Sequence, residues 1–319
     1  MQALYKQLLF ELQRFGAQKN SIETLFIGGG TPSTVAPKLY QPIFELLMPY
    51  MQKDAEITSE ANPNSATQEW LEGMYALGVN RISFGVQSFD AKKLKILNRA
   101  HTPQMAIDAL KNAHKVGYKN LSLDLIYGVA GDTQELLQKD IQQAFNLPIN
   151  HLSAYALTIE EHTPFAKTPQ MAQEQLEHTQ SLFESIEAHG FTQYEISNFG
   201  TYQSQHNLGY WQYKEYIGAG AGAVGKYKKS RLYPHTSVES YISEPLHVSI
   251  EELSDEDIRL EKIFLGFRSC VGVSIDLLTD EERIKASIVT QEKKLLFQDG
   301  KLYNPDYLLA DELALFISS

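Results

Sequence analysis

The sharpest chemical signal in the 319-residue sequence is the glycine run Gly28 to Gly30, which is followed by Thr31 and Pro32. Glycine has no β-carbon, so such a run lets the backbone approach a ligand closely and adopt positive φ angles. The exposed amides and carbonyls could bind an amino-acid-like or phosphate group. A tight turn needs fewer consecutive glycines, so we interpret the run as part of a binding site.

Further polar side chains follow apolar segments that have the character of β-strands. Carboxylates can accept hydrogen bonds from ribose hydroxyls or an ammonium group, and a guanidinium can pair with a carboxylate. Each side chain alone could equally cap a helix or form a salt bridge, whereas their convergence favours a ligand site. A Ser-His-Asp hydrolase fits poorly, since the sequence lacks a G-x-S-x-G motif. The residues are Glu60 in SEANP, Gln87 in GVQSFD, Arg99 in LNRAH and Asp124 in DLIYG.

Histidine, asparagine and two large aromatic residues lie close together in the segment HNLGYW, residues 206–211. A flat aromatic ligand with a central iron could take His206 as an axial ligand, with Asn207 beside it. The rings of Tyr210 and Trp211 could then form walls of the site. A hydrogen-bonded surface turn is the alternative that these residues leave open.

A second glycine-rich segment has the spacing Gly220-x-Gly222-x-x-Gly225. This spacing fits the dinucleotide-binding fingerprint, which must follow a strand and open a helix. It also nearly fits a phosphate loop, but Tyr227 stands where Ser or Thr would bind magnesium. Because no clear strand precedes it, we interpret the segment as close-packed small residues and not as a nucleotide site.

The elements that must position these residues alternate between short, β-rich apolar segments and helical patterns. The intervening segments are long enough for crossover helices, which indicates parallel strands with right-handed connections. Polar residues follow several different strands, as in a closed or partly closed barrel, whereas an open sheet concentrates its ligand contacts at one switch point. We therefore predict an α/β partial barrel. Its strands are expected at 24–28, 55–61, 81–87, 121–127 and 152–157.

The alternation ends after Glu161, where a helix over 172–190 and a strand over 193–199 are predicted. From about residue 250 the pattern changes to a helix capped by Ser254, a second helix over 276–297, a hairpin turn at Asp299–Gly300 and a last helix. This order suggests a winged-helix-like appendage. The expected domains are a partial barrel at 1–200, a connecting segment with HNxxYW at 201–249 and a helical domain at 250–319.

Composition excludes several classes of protein. The net charge of −11 argues against nucleic acid as a partner, because phosphate binding needs a positive surface. No apolar run approaches the ~18 residues of a membrane span, and the amphipathic start is unlike a signal peptide, so we expect a cytoplasmic protein. The single cysteine, Cys270, excludes an internal disulfide and a cysteine zinc site, and its apolar neighbours predict a buried thiol. We expect no metal-ligating residues.

The motifs taken together resemble those of radical S-adenosylmethionine (SAM) proteins related to oxygen-independent coproporphyrinogen III oxidase, and most closely the heme-chaperone branch of that group. The resemblance covers essentially the whole chain. The motifs that carry it are, in order, FIGGGTPS, SEANP, RISFGVQSFD, LKILNRAH, LSLDLIYGV, HLSAYALTIEEHTPF, YEISNFG, HNLGYW and IGAGAGAVG.

The resemblance implies a partial (β/α)6 TIM-like barrel with a C-terminal helical, winged-helix-like domain and SAM at the strand ends. It implies that Gly29, Gly30 and Thr31 hold the methionine end of SAM. Further family positions that contact SAM match Glu60, Gln87, Arg99, Asp124 and Thr158. The segment linked to heme binding in the chaperone branch matches His206, Asn207, Tyr210 and Trp211.

One departure from the family pattern concerns iron. The family opens with a strand and a C-x3-C-x2-C loop whose thiolates bind a [4Fe–4S] cluster, and this sequence has a single cysteine far from its start. The chain begins at the helix after that loop, so it is expected to lack the first barrel strand. We also expect it to be unable to hold the cluster by itself, and to be catalytically inactive, as a truncated product or as a variant.

The leading hypothesis is a protein of the heme-chaperone type that binds heme or porphyrin and transfers heme to a client protein. The alternative is an oxygen-independent coproporphyrinogen III oxidase, which decarboxylates its substrate by radical chemistry in heme biosynthesis. The HNxxYW segment favours the chaperone. A third hypothesis, outside the family, is a barrel-based module that binds another small anionic ligand.

Overall fold

The computed structural model describes residues 1–159 and 164–319. Their central feature is a seven-stranded sheet with the strand order β1-β2-β3-β4-β5-β7-β6. The strands are β1 (Ile22–Ile27), β2 (Met51–Ala61), β3 (Arg81–Gln87), β4 (Asn120–Tyr127), β5 (His151–Ala156), β6 (Thr192–Gln193) and β7 (Asn198–Gly200). The pairs β2–β3, β3–β4 and β4–β5 are parallel, whereas β7 is antiparallel to both β5 and β6. The prediction of an α/β fold with a mostly parallel sheet is confirmed.

Helices precede and connect these strands, and those after β1 lie between successive strands as expected for βα repeats. They are α1 (Gln2–Arg14), α2 (Gln41–Leu47), α3 (Gln68–Leu77), α4 (Ala91–Ile96), α5 (Pro103–Val116), α6 (Gln134–Phe145) and α7 (Leu176–Ala188). Thr67 and Thr102 cap the starts of α3 and α5, since their side chains accept hydrogen bonds from helix amides. Gly78 and Gly117 end the same helices in the left-handed conformation that glycine tolerates.

The apolar side chains of the central strands of the sheet are buried. Ile82 and Phe84 in β3, Leu121 and Leu123 in β4, and Leu152 in β5 are all 0% exposed. Along β3 and β4 these apolar residues alternate with polar or small residues, so within each strand they point to the same face of the sheet. The rigid layer fixes where each strand ends, and therefore where the polar side chains that follow it must lie.

The remainder of the chain contains short strands and five helices. They are α8 (Gln205–Trp211), β8 (Gly225–Tyr227), β9 (Ser230–Pro234), α9 (Val238–Ser243), β10 (Val248–Glu252), α10 (Asp255–Phe267), β11 (Val273–Ser274), α11 (Asp280–Gln291), β12 (Leu296–Gln298), β13 (Lys301–Tyr303) and α12 (Ala310–Ser318). One three-stranded antiparallel sheet has the order β10-β9-β8, and another has the order β11-β13-β12.

The expected helical C-terminal region is present around its own apolar core. Ile263 and Phe267 of α10 pack in one cluster with Val273, Leu302 and Ile317. The helix α10 begins with the predicted cap at Ser254, which forms a capping box with Asp257. The predicted turn at Asp299–Gly300 joins β12 to β13 with φ angles of +50° and +75°, which suit an Asp-Gly hairpin.

Several sequence-based boundaries were wrong in detail. The strand predicted over 193–199 is interrupted, because Tyr194 N–H bonds to the carbonyl of Asn198 and closes a turn between β6 and β7. The helix predicted from residue 172 begins at Leu176, since Ala172 instead forms a β-bridge with Val129. The helix predicted over 276–297 is shortened to α11, which starts after its capping residue Thr279.

The prediction of a buried cysteine was also wrong. Cys270 is exposed, on the turn that follows α10. The adjacent Ser269 occupies the buried position, where it is 1% exposed and donates a hydrogen bond to the carbonyl of Leu265. The apolar neighbours of Cys270 in the sequence therefore did not determine which side chain points inward.

The chain divides into two compact units, one made of residues 1–23, 40–55 and 204–319 and the other of residues 24–39 and 56–203. The domain bounds predicted from the sequence remain predictions. Among the helices of the described residues, none combines the length and the apolar character needed to cross a membrane.

Candidate functional site

A polar cleft of about 190 Å³ lies beyond the carboxyl ends of β2, β3 and β4. It belongs entirely to the compact unit of residues 24–39 and 56–203. Because parallel strands end at the same edge of a sheet, side chains that are far apart in the sequence meet there. The residues that line it are Gly30, Thr31, Pro32, Glu60, Ala61, Asn62, Ser83, Gly85, Gln87, Arg99 and Asp124.

The glycine run contributes backbone groups to this cleft. Gly29 has a φ of +94°, and its amide donates a hydrogen bond to the carboxylate of Glu60. A β-carbon on Gly28 would lie 2.6 Å from the ring of Phe26 and 3.2 Å from Glu60 Oε2, so a larger residue there would require the Phe26 ring to move. This close approach involves the protein's own side chains, so the interpretation of the run as part of a binding site remains a prediction.

Asn62 ties the glycine run to the end of β2. Its backbone amide donates to Ser33 Oγ at 3.0 Å, and its side-chain amide lies 3.4 Å from Thr31 Oγ1. Ser33 Oγ is in turn 2.6 Å from Ser65 Oγ. Sequence reasoning did not select Asn62, although it stands in the SEANP motif two residues after Glu60.

Gln87 enters the cleft through an irregularity at the end of β3. It has a φ of +69°, which is rare and costly for a residue other than glycine, and the pairing register with β4 shifts between Phe84 and Gln87. Such a bulge redirects the side chains that follow it. A β-carbon on Gly85 would lie 3.0 Å from Gln87 Nε2 and 3.3 Å from Asn62 Oδ1, so glycine keeps this part of the cleft open.

The carboxyl groups of Glu60 and Asp124 are half-buried in the cleft. Burial, together with the nearby charge of Asp124, raises the pKa of Glu60 to about 7. Burial also raises the pKa of Asp124 to about 6, against hydrogen bonding from Ser153 and the positive charge of Arg99. Burial lowers the pKa of Arg99, and Asp124 opposes that change. Two carboxyl groups and one guanidinium in such a place can hold a ligand that carries both hydrogen-bond donors and a carboxylate.

The structure does not bring every predicted residue into the cleft lining. Gly29 contacts Glu60 but stands outside the set of residues that line the cleft, and Thr158, after β5, is exposed and also outside that set. Ser83 is a lining residue that sequence reasoning missed. Its hydroxyl lies 3.4 Å from Asp124 Oδ1. Its position in β3, in the RISFGVQSFD motif, was the available signal.

The HNxxYW residues lie on the short helix α8 in the other compact unit. His206 and Tyr210 are one turn apart, with His206 Nε2 3.0 Å from the Tyr210 hydroxyl. Tyr210 also packs edge-on against Tyr216, with ring centroids 4.6 Å apart. We call His206, Tyr210 and Tyr216 the α8 cluster. Burial raises the pKa of Tyr210 to about 12, so its hydroxyl keeps its proton at neutral pH.

The other two residues of the motif have different surroundings. The Asn207 amide donates to the hydroxyl of Ser204, which caps α8, so the backbone of Asn207 holds the start of the helix. Trp211 is half-buried at the end of α8. In this motif an imidazole and a phenol are in direct contact with each other, and an indole follows next in the sequence. All three groups are suitable for binding a flat aromatic ligand.

A group of charged and aromatic residues follows α8 in the chain. Tyr213 donates a hydrogen bond to Glu261 Oε2, and Arg231 forms an ion pair with the same carboxylate. The ammonium group of Lys226 lies 4.0 Å from the centroid of the Tyr213 ring, a cation–π contact. The backbone of Lys226 pairs with that of Tyr216, which fixes one member of the α8 cluster.

The glycine-rich segment at 218–225 is not a nucleotide-binding loop. The strand β8, not a helix, begins at Gly225, so the strand–loop–helix context of the fingerprint is missing. A β-carbon on Gly218 would lie 2.1 Å from the carbonyl oxygen of Val224. The interpretation of this segment as close-packed small residues holds at Gly218 and Gly225 only, because a β-carbon on Gly220 or Gly222 would meet no atom within 4 Å, and both of these glycines have positive φ angles.

Comparisons with known proteins identify the family of this chain. Residues 4–144 match the family model of the radical SAM superfamily. The "Heme chaperone HemW" of Lactococcus lactis subsp. lactis is 30% identical over 318 residues, which cover 93% of this chain and 83% of the relative. The protein of the same name from Bacillus subtilis is 32% identical over 86% of this chain and 76% of the relative. That from Escherichia coli is 41% identical over 66% of this chain and 57% of the relative.

A solved structure shares the fold. It is described as "Coproporphyrinogen III oxidase (HemN) from Escherichia coli is a Radical SAM enzyme", and it aligns with a TM-score of 0.81 over 100% of this chain and 82% of that one. Its sequence identity is 16%, so the likeness concerns the fold alone. The identities of 30% and above, over most of each chain, come instead from the heme chaperones. This chain belongs to the HemW family of radical SAM proteins.

Proposed function

We propose that this protein binds heme and passes it to a client protein. The observation that carries the proposal is the relationship to proteins named heme chaperone HemW, which extends over 83% of the relative from Lactococcus lactis. The α8 cluster offers the chemistry that heme binding requires. An imidazole can ligate iron, and the adjoining rings can cover the porphyrin face.

His206 is the residue that we assign to the heme iron. Its Nε2 contacts the Tyr210 hydroxyl, so the same nitrogen reaches an iron only after that contact opens, or else Nδ1 is the ligand. Tyr210 is 41% exposed, so part of this residue is accessible to a porphyrin. Trp211 supplies a second flat surface, and Asn207 holds the helix start. A porphyrin without iron could contact the same aromatic rings as heme, but it would lack the bond between iron and His206.

Oxygen-independent coproporphyrinogen III oxidase activity is the alternative function, and it is not favoured. The solved oxidase shares the fold of this chain, but its identity of 16% is too low to support a common activity. An anaerobic assay with coproporphyrinogen III separates the two functions. We expect heme binding without a decarboxylated product, and product formation would favour the oxidase.

SAM is the second ligand that family membership implies, together with a [4Fe–4S] cluster. We propose that the cleft binds SAM. Gly29, Gly30 and Thr31 would hold the methionine end, and Arg99 would pair with its carboxylate. The absence of a β-carbon at Gly85 leaves room for the Gln87 and Asn62 side chains in the cleft lining, which supports this assignment. At about 190 Å³ the cleft encloses only part of such a ligand. Further contacts are assigned to Glu60, Gln87, Asp124 and, by family position only, Thr158.

The [4Fe–4S] cluster does not fit the residues of this chain. Clusters of this type are held by cysteine thiolates, and the sequence contains the single cysteine Cys270. That side chain is exposed at the end of α10 and has no companion thiol. We therefore propose that the chain alone neither holds the cluster nor cleaves SAM reductively, and that heme binding does not depend on either.

A titration with hemin, followed by the Soret band, tests the proposed function. We expect the chain to bind one equivalent of hemin. His206→Ala should weaken binding at least ~10-fold, because loss of even a hydrogen-bond partner of a metal ligand has an effect of that size. His114→Ala is the matched control, because His114 is an exposed histidine on α5. The absence of a Soret shift with the unaltered chain would overturn the proposal, and equal affinities for all three proteins would overturn the role of His206.

A further inference from the structure

His235 and His247 face each other at the end of an antiparallel pair of strands. Pro234, the last residue of β9, pairs with Val248, the first residue of β10, so the same register places His235 opposite His247. Their rings stack with centroids 4.2 Å apart and planes 11° apart. The helix α9 lies between the two histidines in the sequence, so the pair stands at the base of a strand–helix–strand unit.

Glu244 adds a carboxylate to the two imidazoles. It caps the C-terminal end of α9, directly after Ser243, and its Oε2 lies 3.2 Å from His235 Nε2. The backbone amide of His247 donates to the carbonyl of Glu244 at 3.1 Å, so a turn brings the carboxylate to the histidines. One potential ligand atom from each residue lies within 4.8 Å of those of the other two.

We propose that His235, Glu244 and His247 bind a divalent transition-metal ion of the Zn²⁺ class. Two histidines and one carboxylate are a common protein ligand set for Zn²⁺, with a fourth position left to water. This site lies outside both the cleft and the α8 cluster, and it differs from the sequence-based expectation that the chain has no metal ligands.

The distances permit this coordination after small side-chain movements. Bonds of about 2.0–2.1 Å to zinc place tetrahedral ligand atoms roughly 3.3 Å apart. The 3.2 Å between His235 Nε2 and Glu244 Oε2 already meets that value. The widest separation in the group, 4.8 Å, must shorten by about 1.5 Å.

One ring must also turn. Nitrogen lone pairs lie in the plane of each imidazole, and two stacked parallel planes do not meet at one ion. His247 is exposed, so rotation about its side-chain bonds meets little resistance. Glu244 is exposed as well, and its carboxylate can follow the ion.

The scaffold around the three residues is held in place. The carbonyl of His235 accepts a hydrogen bond from the amide of Gly222 at 2.9 Å. Tyr241 of α9 donates to Gln7 Oε1 at 2.7 Å in a buried contact, which fastens α9 to α1. A bound ion would therefore join the end of β9, the end of α9 and the start of β10, whose positions are already fixed by other contacts.

Calorimetric titration of the untagged chain with Zn²⁺ alone tests the proposal. We expect one equivalent to bind, and His247→Ala and Glu244→Gln each to weaken binding at least ~10-fold, as loss of even an outer partner of a ligand does. His114→Ala, which alters an exposed histidine on α5, should leave the affinity unchanged. The proposal is overturned if the unaltered chain shows no saturable binding. It is also overturned if His247→Ala and Glu244→Gln bind Zn²⁺ as tightly as the unaltered chain does.

A second readout locates the ion. Zn²⁺ should slow amide hydrogen exchange across residues 235–247 in the unaltered chain and not in His247→Ala, because the ion restrains that unit. Slowing elsewhere with none in this segment would contradict the assignment. The same His247→Ala variant should bind hemin as the unaltered chain does, so failure of the metal site is distinguishable from failure of the proposed heme site.

Discussion

The cleft and the α8 cluster are built in different ways. The cleft collects side chains from the ends of β2, β3 and β4, which lie far apart in the sequence and rest on a fully buried layer. The α8 cluster comes from one turn of a short helix and the loop that follows, with Tyr210 41% exposed. The cleft is thus a product of the tertiary fold, whereas the α8 cluster is mainly local and surface-accessible. A chaperone must release its ligand, and an accessible site is compatible with release.

The largest expected effect concerns the layer beneath the cleft. Phe84→Ala should lower the free energy of unfolding by about 3–5 kcal/mol, because it leaves a cavity in β3. Tyr210→Ala, at an exposed ring of the α8 cluster, should cost much less. Denaturant titration of both variants measures the difference. If both variants lost the same free energy of unfolding, the distinction between a cleft that rests on the core and an α8 cluster at the surface would be wrong.

The next effect concerns charge in the cleft. Arg99→Ala should weaken SAM binding by about 10- to 100-fold, since a hydrogen bond to a charged group contributes roughly 1.5–3 kcal/mol. Hemin affinity should not change. Calorimetry with SAM and a Soret titration measure the two ligands separately. A variant that loses both ligands equally would show that the two sites are not independent.

A pH effect should follow from Glu60. Its pKa is raised from 4.5 to about 7, so between these values the folded protein holds a proton that the unfolded chain has released. Stability should therefore fall as pH rises from 4.5 to about 7, and Glu60→Gln should remove that part of the slope. Unfolding measured across this range for both proteins tests the sign. A contribution that increases with pH would contradict it.

The smallest expected effect is that of Tyr210→Phe. It removes one hydroxyl, which contacts His206 Nε2, and keeps the ring. Loss of an exposed hydrogen bond should change stability by about 1 kcal/mol or less. The Soret position of bound heme should move where Nδ1 of His206 is the iron ligand, because the Tyr210 hydroxyl then still contacts Nε2 in the complex. An unaltered spectrum would show that the contact does not influence the bound heme.

The sequence predicted the features that depend on repeated patterns. The strand β3 was predicted with the observed bounds, Arg81–Gln87, since its apolar residues recur at every second position. The convergence of Glu60 and Asp124 at the strand ends followed from parallel strand order, and both line the cleft. The cap at Ser254 followed from the side-chain chemistry of a helix start.

Features that depend on tertiary contacts could not be predicted. The positive φ of Gln87 arises where the register between β3 and β4 shifts, and an isolated sequence carries no sign of that shift. The exposure of Cys270 depends on which side of a turn faces the core of the C-terminal region. The contact between His235 and His247 depends on the pairing of β9 with β10, two strands that have α9 between them in the sequence.

The most direct test of the account is a hemin titration of three proteins, the unaltered chain, His206→Ala on α8 and Asp124→Asn in the cleft. The account predicts that His206→Ala weakens binding at least ~10-fold, and that Asp124→Asn binds as the unaltered chain does. Weakened binding in Asp124→Asn together with full affinity in His206→Ala would contradict it.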